Sequence, residues 1–255
     1  MKLPPTAPPK PFFVNAPGST IPQEYALEAR RNPEAIKEMA ETPQELRELN
    51  AEALARQYVF IIDRSGSMTS PDGGGGKTRW DSAQSAIEKM VDAVFRYDID
   101  HSVPLYVFDY ETIFVGELAN SSQVREVFSN YKPRRGTTNL DGALKEALGT
   151  YAGTKRPNYN LVPGTTFIVL LDGGADDESA VFTTLRYYAD PKNGFVANHT
   201  QIAISFLQIG NDPSATKFLQ ALDDNIEPDI CDTKLSTILD EPGGLDRLLY
   251  DAIFD

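Results

Sequence analysis

Three short stretches carry side chains that could hold a metal ion. Asp63, Ser65 and Ser67 alternate within 58–68 (YVFIIDRSGSM), Thr137 and Thr138 follow a glycine within 135–140 (RGTTNL), and Asp172 precedes two glycines within 170–174 (LLDGG). Carboxylates and hydroxyls are hard oxygen donors, and they suit a small divalent cation such as Mg²⁺, with Ca²⁺ or Mn²⁺ also fitting such a set. Two aspartates offset the charge of a divalent ion. Neutral hydroxyls leave it electrophilic, so a carboxylate from a partner can complete its coordination. Aspartates at strand ends also suit phosphoryl chemistry, which makes a Mg²⁺-dependent phosphohydrolase the alternative. Only Arg64 and Lys77 stand near enough in sequence to clamp a phosphate.

The elements that must position these residues are readable from hydrophobic patterning. Residues 58–62 (YVFII) and 165–171 (TTFIVLL) are short apolar runs, as expected of parallel strands buried on both faces. Asp63 and Asp172 then fall at carboxyl ends of strands, where open α/β sheets bind ligands. Further strands are expected at 103–110, 112–118, 201–209 and 230–235, the first two joined so closely that they form an antiparallel edge hairpin. Apolar residues at helical spacing mark helices that include Ala83 to Phe95, 122–131, Leu140 to Tyr151, 178–189, 214–223 and Leu245 to Ile253. This alternation predicts a doubly wound α/β fold: a mostly parallel sheet with one antiparallel edge strand and helices on both faces.

The three stretches resemble the metal-ion-dependent adhesion site of the von Willebrand factor A family. Its motifs are Asp-x-Ser-x-Ser, a Gly-Thr pair before an Asn-Leu helix start, and Asp-Gly at a strand end. They occur here in order, and the resemblance covers roughly 57–255. It implies a Rossmann-like domain in which Ser65, Ser67 and Thr138 contact the ion, with Asp63 and Asp172 bound directly or through water. Thr138 is preferred to Thr137 by the family's register. Leu171 stands where the family more usually has threonine. The resemblance also implies a non-catalytic, intracellular interaction module. Its partner would supply a Glu or Asp carboxylate, and could be an AAA-type ATPase or another complex subunit.

The chain's 255 residues accommodate such a domain plus an extension, 1–56. Seven prolines within 1–22 point to polyproline II or loop, and 23–56 reads as short helices, with Thr42 capping one that starts at Pro43. A net charge of −13 argues against nucleic-acid binding through phosphates. One cysteine, Cys231, excludes an internal disulfide and a cysteine-based zinc site, and is expected to be a small core residue. Neither an apolar leader nor a run of about 20 apolar residues is present, so a cytoplasmic protein without a membrane span is expected.

Several other signals carry less. The run 73–78 (GGGGKT) lacks the first glycine of a phosphate loop, because Pro71 stands there, and is expected to be a surface loop at the rim. His101 and His199 share no motif with a nucleophile and are expected at the surface. Asp109 ends a strand and is a further residue that could line the site. Trp80 is expected to pack in the core or under the glycine loop. Asp176 to Glu178 suit a helix N-terminus. The pairs Asp223-Asp224 and Asp240-Glu241 suit solvated turns.

Overall fold

A computed structural model describes residues 21–33, 36–39, 43–73, 75–155, 164–196 and 199–254. The polyproline expectation for the first residues and the cap at Thr42 fall outside them. Six strands form one sheet: β1 (Gln57–Asp63), β2 (Val103–Phe108), β3 (Thr112–Leu118), β4 (Thr165–Leu171), β5 (Ile202–Gln208) and β6 (Cys231–Leu235). Their order is β3-β2-β1-β4-β5-β6, with every pair parallel except β2–β3. β2 stops at Phe108, two residues short of the expected end. Asp109 turns the chain there, accepting the Glu111 amide on Oδ1 at 3.1 Å.

The helices are α1 (Gln23–Arg31), α2 (Ile36–Met39), α3 (Pro43–Leu54), α4 (Arg79–Tyr97), α5 (Ser122–Asn130), α6 (Leu140–Lys155), α7 (Glu178–Ala189), α8 (Pro213–Asn225) and α9 (Gly244–Phe254). Successive side chains of a strand point to opposite faces, and the apolar runs therefore split into two cores. Phe60, Ile62, Ile168 and Leu170 meet Ala83, Ile87 and Met90 of α4, Phe128 of α5 and Leu248 of α9. Val59, Ile61, Phe167 and Val169 meet Leu144 and Leu148 of α6, Val181 of α7 and Leu219 of α8. Each fully buried side chain of this kind contributes roughly 1.5–3 kcal/mol over an exposed one.

Strand order explains where a ligand could bind. From β1 the chain builds outward to β2 and β3, then returns to the other side of β1 for β4, β5 and β6. β1 and β4 are neighbours whose connections leave in opposite directions, so a crevice opens at their carboxyl ends. Asp63 is the last residue of β1 and Asp172 directly follows β4. The extension lies at the other end of the sheet, because α3 runs into the start of β1. There Ile21, Ala26, Ala29, Ile36 and Ala53 form a small cluster against which Phe254 of α9 packs. Arg30 and Glu52 tie α1 to α3 with an ion pair of 2.6 Å. Cys231 is buried on β6, as expected of a core residue.

Candidate metal centre

The turn after β1 is built by its own polar side chains. Asp63 Oδ1 accepts the Ser65 amide at 2.7 Å, which folds 63–65 back on itself, and a single 3-10 turn, Gly66–Thr69, follows. This brings the Ser65 and Ser67 hydroxyls to 2.9 Å from each other, and Ser67 donates to Asp172 Oδ1 at 2.8 Å. Four of the five expected ligands thus form one connected group, Asp63–Ser65–Ser67–Asp172, across the β1–β4 crevice.

Thr138 is tied by its backbone to Asp176, in the loop that follows Asp172. Its amide donates to Asp176 Oδ1 and its carbonyl accepts the Asp176 amide, both at 3.0 Å. Asn139 continues the tie: its amide donates to the Asp109 carbonyl at 2.9 Å. Asn139 Oδ1 accepts the Gly142 amide at 3.0 Å and so caps α6. The loops after β2 and β4 and the start of α6 are therefore fastened together. Among the described residues, no hydrogen bond joins the half-buried Thr138 hydroxyl to Asp63, Ser65 or Ser67. Asp176, expected only at a solvated helix start, is the clasp between two site loops, while Asp177 caps α7 by accepting the Ala180 amide.

Both carboxylates are fully buried, and Asp63 Oδ2 has no hydrogen-bond partner. Burial pushes the Asp63 carboxyl up from 3.8 to about 7, and the charge of Asp172 adds to the rise; the Ser65 hydrogen bonds oppose it. An orphaned carboxylate oxygen beside a second carboxylate and two hydroxyls is a donor set that a divalent cation would satisfy. Among the described residues no three His, Cys, Asp or Glu side chains cluster, so such an ion would depend on the hydroxyls.

Two charged residues that the motifs do not contain complete the surroundings. Arg79, the first residue of α4, donates from Nη1 to Asp172 Oδ2 at 2.9 Å and from Nε and Nη2 to Asp72 at 2.7 and 2.8 Å. The Asp72 bonds, followed by those to Asp172, raise the pKa of its guanidinium; Arg79 in turn lowers that of Asp72. The one hint in sequence is a pair of opposite charges, Asp72 and Arg79, flanking the glycine run. The second residue is Asp109, fully buried, with Arg64 Nη2 3.2 Å and Arg134 Nε 3.1 Å from its Oδ2. The Arg64 contact is an ion pair whose angle falls short of a hydrogen bond. Asp109 adds to the field that raises Asp63, and it supports the site without belonging to the connected group.

The remaining signals resolve locally. The glycine loop closes on α4: the Gly73 amide donates to the Lys77 carbonyl at 3.0 Å, and Ser82 Oγ donates to the Gly73 carbonyl at 2.6 Å. Lys77 Nζ donates to Ser85 and Arg64 pairs with Asp109, so both cations considered for a phosphate clamp are engaged elsewhere. Trp80 is in the core, 4.4 Å from the Phe128 ring. Asp223 is not in a solvated turn: it is half-buried on α8 and accepts the Thr233 amide, and burial raises its pKa to about 6. Asp240 and Glu241 are exposed but ion-paired, with Lys89 and Arg247 respectively.

A doubly wound sheet of this order, with carboxylates and hydroxyls gathered at its switch point, defines a Rossmann-like class of domain. Residues 58–172 match the family model for the von Willebrand factor type A domain. That stretch, a little under half of the chain, is therefore similar to a von Willebrand factor type A domain, a family that generally mediates protein–protein interaction, often with a metal. Solved structures share the fold at low identity. BatB, a conserved hypothetical protein of Bacteroides thetaiotaomicron, is 15% identical with a TM-score of 0.53, over 78% of this chain and 97% of that one. The manganese-loaded TRAP protein of Plasmodium vivax is 15% identical with a TM-score of 0.52, over 74% and 73%. The PilB minor pilin of Streptococcus sanguinis is 13% identical with a TM-score of 0.51, over 77% and 60%. Nothing among the curated proteins matches. No described helix is long and apolar enough to cross a membrane.

Proposed function

We propose that the group at the β1–β4 crevice binds one divalent cation, Mg²⁺ in the first instance, and through it a Glu or Asp carboxylate of a protein partner. The observation that carries this reading is the buried, partnerless Asp63 Oδ2 beside Asp172 and the paired Ser65 and Ser67 hydroxyls. Burying two carboxylates together is costly unless a cation is shared between them. Ser65, Ser67 and Thr138 would hold the ion directly, with Asp63 and Asp172 direct or through water. The ion supplies a positive charge that an acidic side chain can reach; the protein's own residues fix its place and exclude competing donors. The manganese in the TRAP structure supports the choice of a divalent ion.

The proposed domain runs over 57–255, with 1–56 as an extension, and the module binds without catalysis. A phosphohydrolase would need a free cationic clamp; Arg64 and Lys77 are committed elsewhere, and Arg79 is held by Asp72 and Asp172. The partner class implied by the family resemblance is a complex subunit, an AAA-type ATPase among the options, met in the cytoplasm. The test is capture from native lysate on immobilised protein, with Mg²⁺ or with chelator. A partner held only with Mg²⁺, and lost to the Asp63→Ala/Ser65→Ala variant, supports the reading. Capture unaffected by both chelator and substitution would overturn it.

A further inference from the structure

Arg79 occupies a position that its own helix does not explain. It opens α4 immediately after the cap Thr78, where a cation works against the helix dipole. Its side chain is nevertheless largely buried, 11% exposed, and hydrogen-bonded at three nitrogens. Gly210, at φ +79°, forms one wall of the slot: a Cβ there would lie 3.1 Å from Arg79 Nε. The effect on the site is to divide Asp172. Oδ1 accepts from Ser67 and faces the candidate ligands, while Oδ2 is taken by the guanidinium.

We infer that Arg79 is a positioning residue that sets the divalent-ion affinity of the site. It fixes Asp172 in place and, as a built-in cation, cancels one of the two buried negative charges. This inference rests on the metal reading above. Two uncompensated aspartates would neutralise a divalent ion completely. With Arg79 among them, and its charge only partly offset by the half-exposed Asp72 at the rim, positive charge is left over, so the ion is held more loosely and a partner's carboxylate is drawn more strongly. Asp72 completes the device. By holding Nε and Nη2 it keeps the guanidinium at the rim and tempers its charge.

The test is calorimetric titration of Mg²⁺ and Mn²⁺ into the full chain and its variants at fixed ionic strength. Arg79→Gln keeps a donor for Asp172 but removes the charge, and should tighten ion binding about tenfold. That is the scale of Coulomb repulsion between a dication and a cation a few ångströms apart under strong solvent screening. Arg79→Lys keeps the charge and should stay within about twofold of wild type. Asp72→Asn, at an exposed residue that will not unfold the chain, strips the guanidinium of its counter-charge and should weaken the ion severalfold. A purely structural arginine predicts the opposite for Arg79→Gln, because a loosened Asp172 binds worse. Equal or weaker binding in Arg79→Gln, or tighter binding in Asp72→Asn, would overturn the role of Arg79 while leaving the metal site standing. Absence of ion binding in wild type would remove both.

Discussion

Replacing Asp63 by asparagine should stabilise the metal-free protein, although it removes a group the fold has positioned with care. The ionised carboxylate is fully buried, has one oxygen without a partner, and lies beside a second buried carboxylate. Moving a carboxyl from 3.8 to about 7 disfavours its charged form by about 4 kcal/mol, at roughly 1.4 kcal/mol per tenfold. Between those values the folded state keeps a proton that the unfolded chain has released. Stability therefore falls as pH rises from about 4 to about 7, and the full penalty is present above that. Asparagine keeps the acceptor for the Ser65 amide and abolishes the charge, but brings a buried NH₂ that must find a partner. The net gain at pH 8 is expected to be about 1–3 kcal/mol. At about 2–4 °C per kcal/mol for a chain of this size, the melting temperature should rise by roughly 2–12 °C in chelator.

The assay is thermal melting of both proteins from pH 4 to 8 in excess chelator, plotted as a difference. Subtraction matters because Asp98 and Asp223 are also raised by burial and give both proteins a falling limb. The gain should grow toward pH 8 and give way near pH 4 to a small loss, where only the cost of the buried NH₂ remains. Saturating Mg²⁺ should reverse the ranking, since an ion at a hundred times its Kd adds about 2.7 kcal/mol to wild type alone. A variant no more stable than wild type at pH 8, or equally shifted at both ends of the range, would refute the argument from buried like charges.

Other perturbations test the supports of the site. Asp176→Ala removes the clasp on Thr138; melting should change by about 1 kcal/mol or less while ion affinity drops several-fold, read by calorimetry. Trp80→Ala empties the space against Phe128 and should cost about 3–5 kcal/mol in denaturant unfolding. Deleting residues 1–50 uncovers Phe254 and removes most of the small cluster at the far end of the sheet; a clear fall in melting temperature with unchanged ion affinity is expected. An unchanged melting temperature would instead make the extension an arm for partners.

Much of this was legible in the sequence because it is local. The strands β1 and β4 carry unbroken apolar runs at 58–62 and 167–171, so both their buried setting and the aspartates at their ends could be read directly. The hairpin β2–β3 followed from the short gap between two strand-like runs. Asp63, Ser65 and Ser67 lie within five residues, and their turn is built from contacts among themselves. What was not legible depends on distant segments meeting. Arg79 finds Asp172 across 93 residues, and Arg64 finds Asp109 across the β1–β2 edge. Asp223 reads as half of a solvated acidic pair until β6 arrives beside it with the Thr233 amide. Patterns of polarity mark which residues are charged, whereas the fold decides which charges share a partner.

The central claim is a single divalent-ion site made by Asp63, Ser65, Ser67, Thr138 and Asp172. Its most direct test is Mn²⁺ titration followed by electron paramagnetic resonance, with Mg²⁺ as competitor. One Mn²⁺ should bind per chain, be displaced by Mg²⁺ and be absent from the Asp63→Ala/Ser65→Ala variant. Wild-type protein that leaves all the Mn²⁺ free, or a folded double variant that binds it equally well, would rule the site out.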